Sequence, residues 1–195
     1  LKKALGSKNT IALLLPYKLS ASHSLSDAKR LCKQFDVKYE IIDITASVDA
    51  YFNLFPTKNK ILIGNKCARE RMAILYDFSL RKKALVAGTS NKSELLIGYS
   101  TIYGDSAAAF LPLGDLYKTQ VFKLAQHLNI PQNIIDKKPT ADLWKNQTDE
   151  KEIGITYEVL DEILFQLIDI RKREEEIVRS GYSIKDIHLI KLPYL

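Results

Sequence analysis

The 195-residue chain has no long apolar run, only two cysteines and three histidines, and no glycine-rich phosphate loop. Each lack excludes a class of function. No uninterrupted hydrophobic stretch approaches the roughly 20 residues that a membrane-spanning helix requires. The N-terminus imitates a secretory signal, with Lys2 and Lys3 before Ile11–Leu15 and small residues at 20–22. The apolar run is too short for such a signal and Pro16 closes it, so we reject it. Cys32 and Cys67 have no CxxC partner and fall in helix-like stretches. They read as reduced core thiols of a cytoplasmic protein, not as a bridge or a zinc site. His23, His127 and His188 are scattered, which leaves no His-rich metal cluster and no Ser-His-Asp triad. A Walker A loop needs G-x-x-x-x-G-K-[ST], and only Gly6-Ser7-Lys8 comes near. G-x-G-x-x-G is absent as well. "NQT" at Asn146 fits a glycosylation sequon, a tripeptide common by chance.

What remains is ordinary for a single globular domain over residues 1–195: 46% hydrophobic and 27% charged. The net charge of +6 suits a small polyanion such as a nucleotide. No basic run is interleaved with aromatics, so nucleic acid is not the expected partner.

The hydrophobic pattern reads as strand, helix, strand, helix, strand. "IALLL" (11–15) is a short buried strand. "SDAKRLCKQF" (26–35) places Ala28, Leu31, Cys32 and Phe35 on one helical face, with Ser24 or Ser26 as N-cap. "VKYEIIDI" (37–44) is a second strand. "NKCARERMAILYDFSLRKK" (65–83) is a long helix facing inward with Ala68, Met72, Leu75 and Tyr76, and "ALVAG" (84–88) is a third buried strand. This order predicts an α/β fold on a parallel sheet with right-handed crossovers. "YKTQVFKLAQHL" (117–128) is a further amphipathic helix stopped by Pro131. Residues 139–154 read as an acidic loop, followed by helices near 156–169 and 171–180.

In such a sheet, ligands bind at the carboxyl ends of strands. "GTSNKSELLIGYSTIYGD" (88–105) occupies that position after the third strand. Gly88 allows a sharp turn, and Thr89 and Ser90 offer hydroxyls. Glu94 has two readings. Asn91-x-x-Glu94 is close to a capping box, which local sequence favours. Equally, Glu94 is a hard oxygen ligand of the kind Mg²⁺ takes with phosphate oxygens and waters.

This stretch, with "PLGDLYKTQV" (112–121), "LNIP" (128–131), "KKPTADLW" (137–144), "DEKEIGITYEVLD" (149–161) and the upstream "GNKCARERM" (64–72), resembles the ammonia-dependent NAD⁺ synthetases. The blocks keep their order over most of residues 11–161. The resemblance implies an N-type ATP pyrophosphatase fold, a Rossmann-like three-layer sandwich of the adenine nucleotide alpha hydrolase type. Helices cover both faces of its parallel sheet, and it acts as a homodimer. It implies a ligase that adenylates the nicotinate carboxylate of deamido-NAD⁺ with ATP. Ammonia then displaces AMP.

By position, Thr89 and Thr140 resemble ATP contacts, Lys118 the lysine on the ATP phosphates, and Glu94 a Mg²⁺ ligand. Arg69 resembles a deamido-NAD⁺ contact and Asp105 the aspartate near the ammonia site. Mg²⁺ and a lysine suit a leaving pyrophosphate, and a carboxylate suits a nucleophile that must lose protons. Arg69 suits a carboxylate or phosphate. Taken singly, Lys118 reads equally as an exposed lysine at a helix start, and Arg69 as part of a solvated face with Lys66 and Glu70.

Departures from the family pattern also stand out. No SGG occurs, although the family binds pyrophosphate with an SGG-x-DS loop whose aspartate is a second Mg²⁺ ligand. "LKKALGS" (1–7) looks like the end of the helix after that loop, so the expectation is a truncated sequence. Ile102 and Ala109 stand where many relatives have a lysine and an aspartate. "IHLIKLPYL" (187–195) lacks a recognisable basic pair. Alternatives are another amidotransferase pyrophosphatase domain, a catalytically inactive nucleotide-binding or dimerisation module, and a basic RNA-binding domain.

Overall fold

The computed structural model describes residues 1–140 and 147–191. Two compact units emerge. One holds Leu1–Gly88 and Thr101–Phe110 with Thr140 and Gln147; the other holds Thr89–Ser100, Leu111–Pro139 and residues 148–191.

The first unit opens on a single helical turn, α1 (Lys2–Leu5), as the look of a helix tail anticipated. Strand β1 (Ile11–Leu14) leads into α2 (Ser22–Gln34) and returns as β2 (Lys38–Ile41). The strands pair in parallel from Ile11–Lys38 to Leu14–Ile41, the expected β-α-β unit. Ala28, Leu31, Cys32 and Phe35 do turn inward. The cap differs: α2 begins after Ala21 with no side-chain cap, and the Ser26 hydroxyl donates to the His23 carbonyl from inside the helix.

Asp43 Oδ1 accepts from the Thr45 amide at 2.7 Å and turns the chain into α3 (Thr45–Leu54). This helix leaves no periodic signal in the sequence. Val48 is fully buried, yet Tyr51 and Leu54 are also large and hydrophobic and lie exposed. The long helix α4 (Lys60–Lys82) starts earlier than expected, because Asn59 Oδ1 accepts from the Ile61 and Leu62 amides. Its inner face carries the small residues Gly64, Cys67 and Ala68, while Tyr76 is exposed. Tyr17, Ile44, Val48 and Cys67 form the core of this unit. Burial pushes both thiols above the ordinary cysteine range, and neither cysteine forms a disulfide.

The expected third buried strand is largely absent. Leu85 is 75% exposed, and only Val86 and Ala87 turn inward. The segment makes one parallel bridge, Ala87 to Phe110, through the Ala109 amide on the Val86 carbonyl and the Gly88 amide on the Phe110 carbonyl. One bridge is too short a ladder to define a strand. Gly88 does not take a positive φ; the left-handed turn falls at Gly98, φ 70°.

The second unit is helical: α5 (Lys92–Ile97), α6 (Lys118–His127), α7 (Gln132–Ile135), α8 (Asp149–Ile153), α9 (Tyr157–Leu164), α10 (Glu174–Arg179) and α11 (Ile184–Lys191). The α8 turn lies where an acidic loop was expected, and α11 was not anticipated. From Phe165 to Asp169, α9 continues as a π-helical turn. Leu160, Ile163, Ile177 and Ile187 have no exposed surface and centre an apolar cluster that includes Tyr117 and Tyr157. Half-buried Val121, Leu124, Ala125 and Leu128 give α6 the inward face its spacing predicts.

Truncating Leu160 to Ala should therefore cost about 2–5 kcal/mol of unfolding free energy, as large-to-small core changes do. Leu80→Ala, at a side chain 82% exposed, should stay within about 0.5 kcal/mol. Urea unfolding of both variants checks this, and equal losses would place Leu160 outside the core.

Candidate active site

In the second unit the candidate residues are organised around Glu94. Asn91 caps α5: its Oδ1 accepts from the Glu94 amide and Glu94 Oε2 accepts from the Asn91 amide, both at 3.1 Å. The capping box is thus real. It occupies only one carboxylate oxygen. The other, Oε1, accepts from Lys118 Nζ at 2.9 Å. Both side chains are under one-fifth exposed, so this pair is better shielded from water than a surface salt bridge. Lys118 is therefore not an ordinary exposed lysine. Its ammonium also lies 5.0 Å from the centre of the Tyr157 ring, within cation–π range.

Beneath the pair is a carboxylate that the spacing did not single out. Asp149, 4% exposed, accepts from the Tyr157 hydroxyl at 3.1 Å, while the Tyr99 hydroxyl, 3.3 Å away, gives its one proton to Glu152 Oε2 at 2.5 Å. Burial raises its pKa above the ordinary aspartate range, and the nearby Lys118 charge partly opposes that. Both phenols are pushed up, chiefly by burial, and remain donors at neutral pH. A second buried acid, Asp161, accepts from the Ser93 hydroxyl and from the Thr119 amide at 2.8 Å. Thr89, exposed, lies two residues before the cap. Asp149 and Asp161 escaped notice because a lone acid in a helix reads as surface; only burial distinguishes them.

In the first unit a second cluster forms on α4. Gly104 lies directly against that helix: a Cβ there would be 2.9 Å from the Ala68 Cβ and from Thr101. That close approach needs glycine on the turn and a small residue on the helix. The turn is tied by the Asp105 Oδ1 accepting from the Thr101 amide at 2.8 Å and by the Thr101 hydroxyl donating to Asn65 Oδ1 at 2.8 Å. Arg69, beside Ala68, donates from Nε to the Ile102 carbonyl at 3.1 Å. Arg69 and Asp105 thus belong to one turn-on-helix arrangement, and both are exposed. The solvated face expected around Arg69 is only partly so. Lys66 and Glu70 make a half-buried ion pair at 2.7 Å, which holds the Glu70 carboxyl below the usual glutamate range.

Ile102, a departure from the pattern that the resemblance implies, is 46% exposed. Thr140 is half-buried in the same unit. Residues 141–144 of "PTADLW", the sequon asparagine Asn146 and the last four residues lie outside the described residues. Among the described residues, no group of three or more His, Cys, Asp or Glu is arranged to hold a metal without other ligands, and no helix is long and apolar enough to cross a membrane.

Residues 1–192 match the NAD synthase family. The chain is 46% identical over 187 residues to the NH(3)-dependent NAD(+) synthetase of Fusobacterium nucleatum, covering 96% of this chain and 72% of that protein. The enzyme of the same name from Trichlorobacter lovleyi is 47% identical over 181 residues, covering 93% and 66%. Among solved structures, NMN synthetase from Francisella tularensis superposes with a TM-score of 0.81 at 35% identity, covering 93% and 71%. The NH3-dependent NAD synthetase of Campylobacter jejuni, in complex with the nitrate ion, gives 0.78 at 38%, covering 97% and 73%. The chain thus spans between 66% and 73% of the length of these four relatives.

The raised Asp149 pKa has a sign. The folded chain binds this proton more tightly than the unfolded chain, so the group's contribution to stability is greatest below the ordinary aspartate range. It is lost as pH rises through the folded value. Asp149→Asn should therefore gain stability relative to the parent across that interval and hold the gain above it. Urea unfolding of both proteins at a series of pH values reads the difference. A difference independent of pH would mean that Asp149 is charged at no cost.

Proposed function

The chain belongs to the NAD synthase family, and from that premise we propose that it catalyses the ATP-dependent amidation of deamido-NAD⁺ by ammonia. The observation that carries this is the Glu94–Lys118 pair. An acid and a lysine are held together on rigid helix starts, with a second anionic oxygen already committed to a cap.

The carboxylate of the nicotinate ring attacks the α-phosphorus of ATP, pyrophosphate leaves, and ammonia then attacks the acyl carbon as AMP departs. The charge to be neutralised is on the phosphates. Lys118 serves there, with Thr89 of the same unit as a further ATP contact; for Thr140 an ATP contact is what the family resemblance implies. Glu94 fits Mg²⁺: its Oε1 is a hard donor that becomes free when Lys118 turns to a phosphate, while Oε2 stays in the cap. When bound, Mg²⁺ supplies charge neutralisation for the leaving pyrophosphate. Asp105 Oδ1 is held by the Thr101 amide, which keeps the carboxylate oriented to hold ammonium and accept a proton. Arg69 spends one of its five donors on the Ile102 carbonyl, which leaves four for an anionic group of the dinucleotide. Both units belong to one synthetase domain in this reading, and the protein works in the cytoplasm.

A homodimer is supported by the apolar residues Tyr51, Leu54, Phe55, Ile61 and Leu62, each more than 40% exposed on α3, on α4 or just after α3. Replacing Leu54 and Ile61 together by Glu should shift the sedimentation coefficient toward the monomer value. An unchanged coefficient would remove these helices from the interface.

The function itself is tested by turnover of the full-length protein with deamido-NAD⁺, ATP, Mg²⁺ and ammonium. Nicotinate mononucleotide is assayed in parallel because one solved relative is described as an NMN synthetase. Glu94→Gln and Lys118→Met should each lower NAD⁺ formation by about 10²–10³-fold, the usual loss for one charge-stabilising group. Melting should fall in Glu94→Gln, since glutamine still closes the capping box but leaves the shielded Lys118 ammonium without its anion. Asp105→Asn should raise the KM for ammonium. Absence of NAD⁺ from a well-folded wild-type protein would leave a nucleotide-binding module without this activity.

A further inference from the structure

The start of α6 has an unusual cap. Helices normally satisfy their first amides with a Ser, Thr, Asp or Asn immediately before the first turn. Here that position is Tyr117, whose side chain makes no cap bond. The first two amides are instead satisfied from other helices. The Lys118 amide donates to the Ser93 hydroxyl oxygen at 2.9 Å, and the Thr119 amide donates to Asp161 Oδ2 at 2.8 Å. Ser93 in turn donates its proton to Asp161 Oδ1. One carboxylate and one hydroxyl from α9 and α5 therefore cap a third helix.

Both side chains are out of water, Ser93 completely and Asp161 at 5% exposure. A buried carboxylate is costly unless each of its oxygens has a donor, and here each has one. It also faces the positive end of the α6 dipole, where an anion is stabilised. Two adjacent residues of α5 thus hold Lys118 at both ends: Ser93 takes its backbone amide and Glu94 its ammonium.

We propose that Asp161 is a positioning residue for Lys118, acting through Ser93 and the first two amides of α6. This rests on the assignment of Lys118 to the ATP phosphates. Glu94 gives up the ammonium when nucleotide and metal arrive, and the backbone hold is what then keeps the lysine in place. Without it, the first turn of α6 frays and the ammonium samples positions away from the phosphates.

The test uses Asp161→Asn and Ser93→Ala in the full-length protein, with circular dichroism and melting to establish that each folds. The first readout is hydrogen exchange at single amides. Protection at Lys118 and Thr119 should fall in both variants, while the interior of α9 keeps its protection. Unchanged exchange would overturn the proposal, and this readout needs no turnover, so it stands even if the synthetase reading fails. The second readout is a double-mutant cycle on NAD⁺ formation. Asp161→Asn should cost about tenfold or more in the parent, as small misplacements of a charge-stabilising group do. In the Lys118→Met background it should cost nothing further. An equal loss in both backgrounds would mean that Asp161 acts on stability or on another group, not through Lys118.

Discussion

The structure of the second unit depends on how the carboxylate of Glu94 is divided. One oxygen closes the α5 capping box on the Asn91 amide, and the other holds the Lys118 ammonium. The first bond fixes where α5 begins. The second relates that start to the start of α6. Below them, Ser93 and Asp161 bind the α6 amides, and Tyr157 places its ring under the ammonium. The lysine is thus presented by backbone geometry and not by a flexible stem alone. In the proposed reaction, that hold would keep a single cation near the charge that develops on the phosphates.

A price is visible in the same place. Asp149 sits buried with its pKa raised, and its donor is the Tyr157 phenol, itself held protonated by burial. The arrangement is stable because every polar atom finds a partner: among the described residues, no buried side-chain nitrogen or oxygen is without one. The core around Leu160, Ile163, Ile177 and Ile187 supplies the apolar burial that offsets the desolvation of these acids. The first unit solves a different problem. There the small residues of α4 let the 101–105 turn approach closely, so Arg69 and Asp105 are placed by backbone contact at Gly104 and Ala68.

Several elements were legible from sequence because their signal is local. β1, α2, β2, α4 and α6 follow from apolar runs and 3.6-residue spacing, and the Asn91–Glu94 cap from its own four residues. Others were misread for physical reasons. The 84–88 run has strand composition, but Leu85 faces water and pairing stops at one bridge. The helix α3 carries large hydrophobic residues both buried and exposed, which erases periodicity. The helix cap at Ser24 or Ser26 was a sound local guess, displaced when the chain entered α2 four residues earlier.

Sequence alone determined the family: its motif blocks in order carry the resemblance, and the resemblance implies roles for Thr89, Glu94, Asp105, Lys118, Arg69 and Thr140. It left open whether Glu94 was a cap or a ligand. Tertiary structure showed that the cap uses one oxygen of this carboxylate and that the other accepts from the Lys118 ammonium. It also brought in Ser93, Asp149, Tyr157 and Asp161, whose importance lies in burial and in bonds spanning 8 to 68 residues of sequence. A capping motif is local and can be read from four letters. A hydrogen bond between helices far apart in the chain exists only once the core has packed them together.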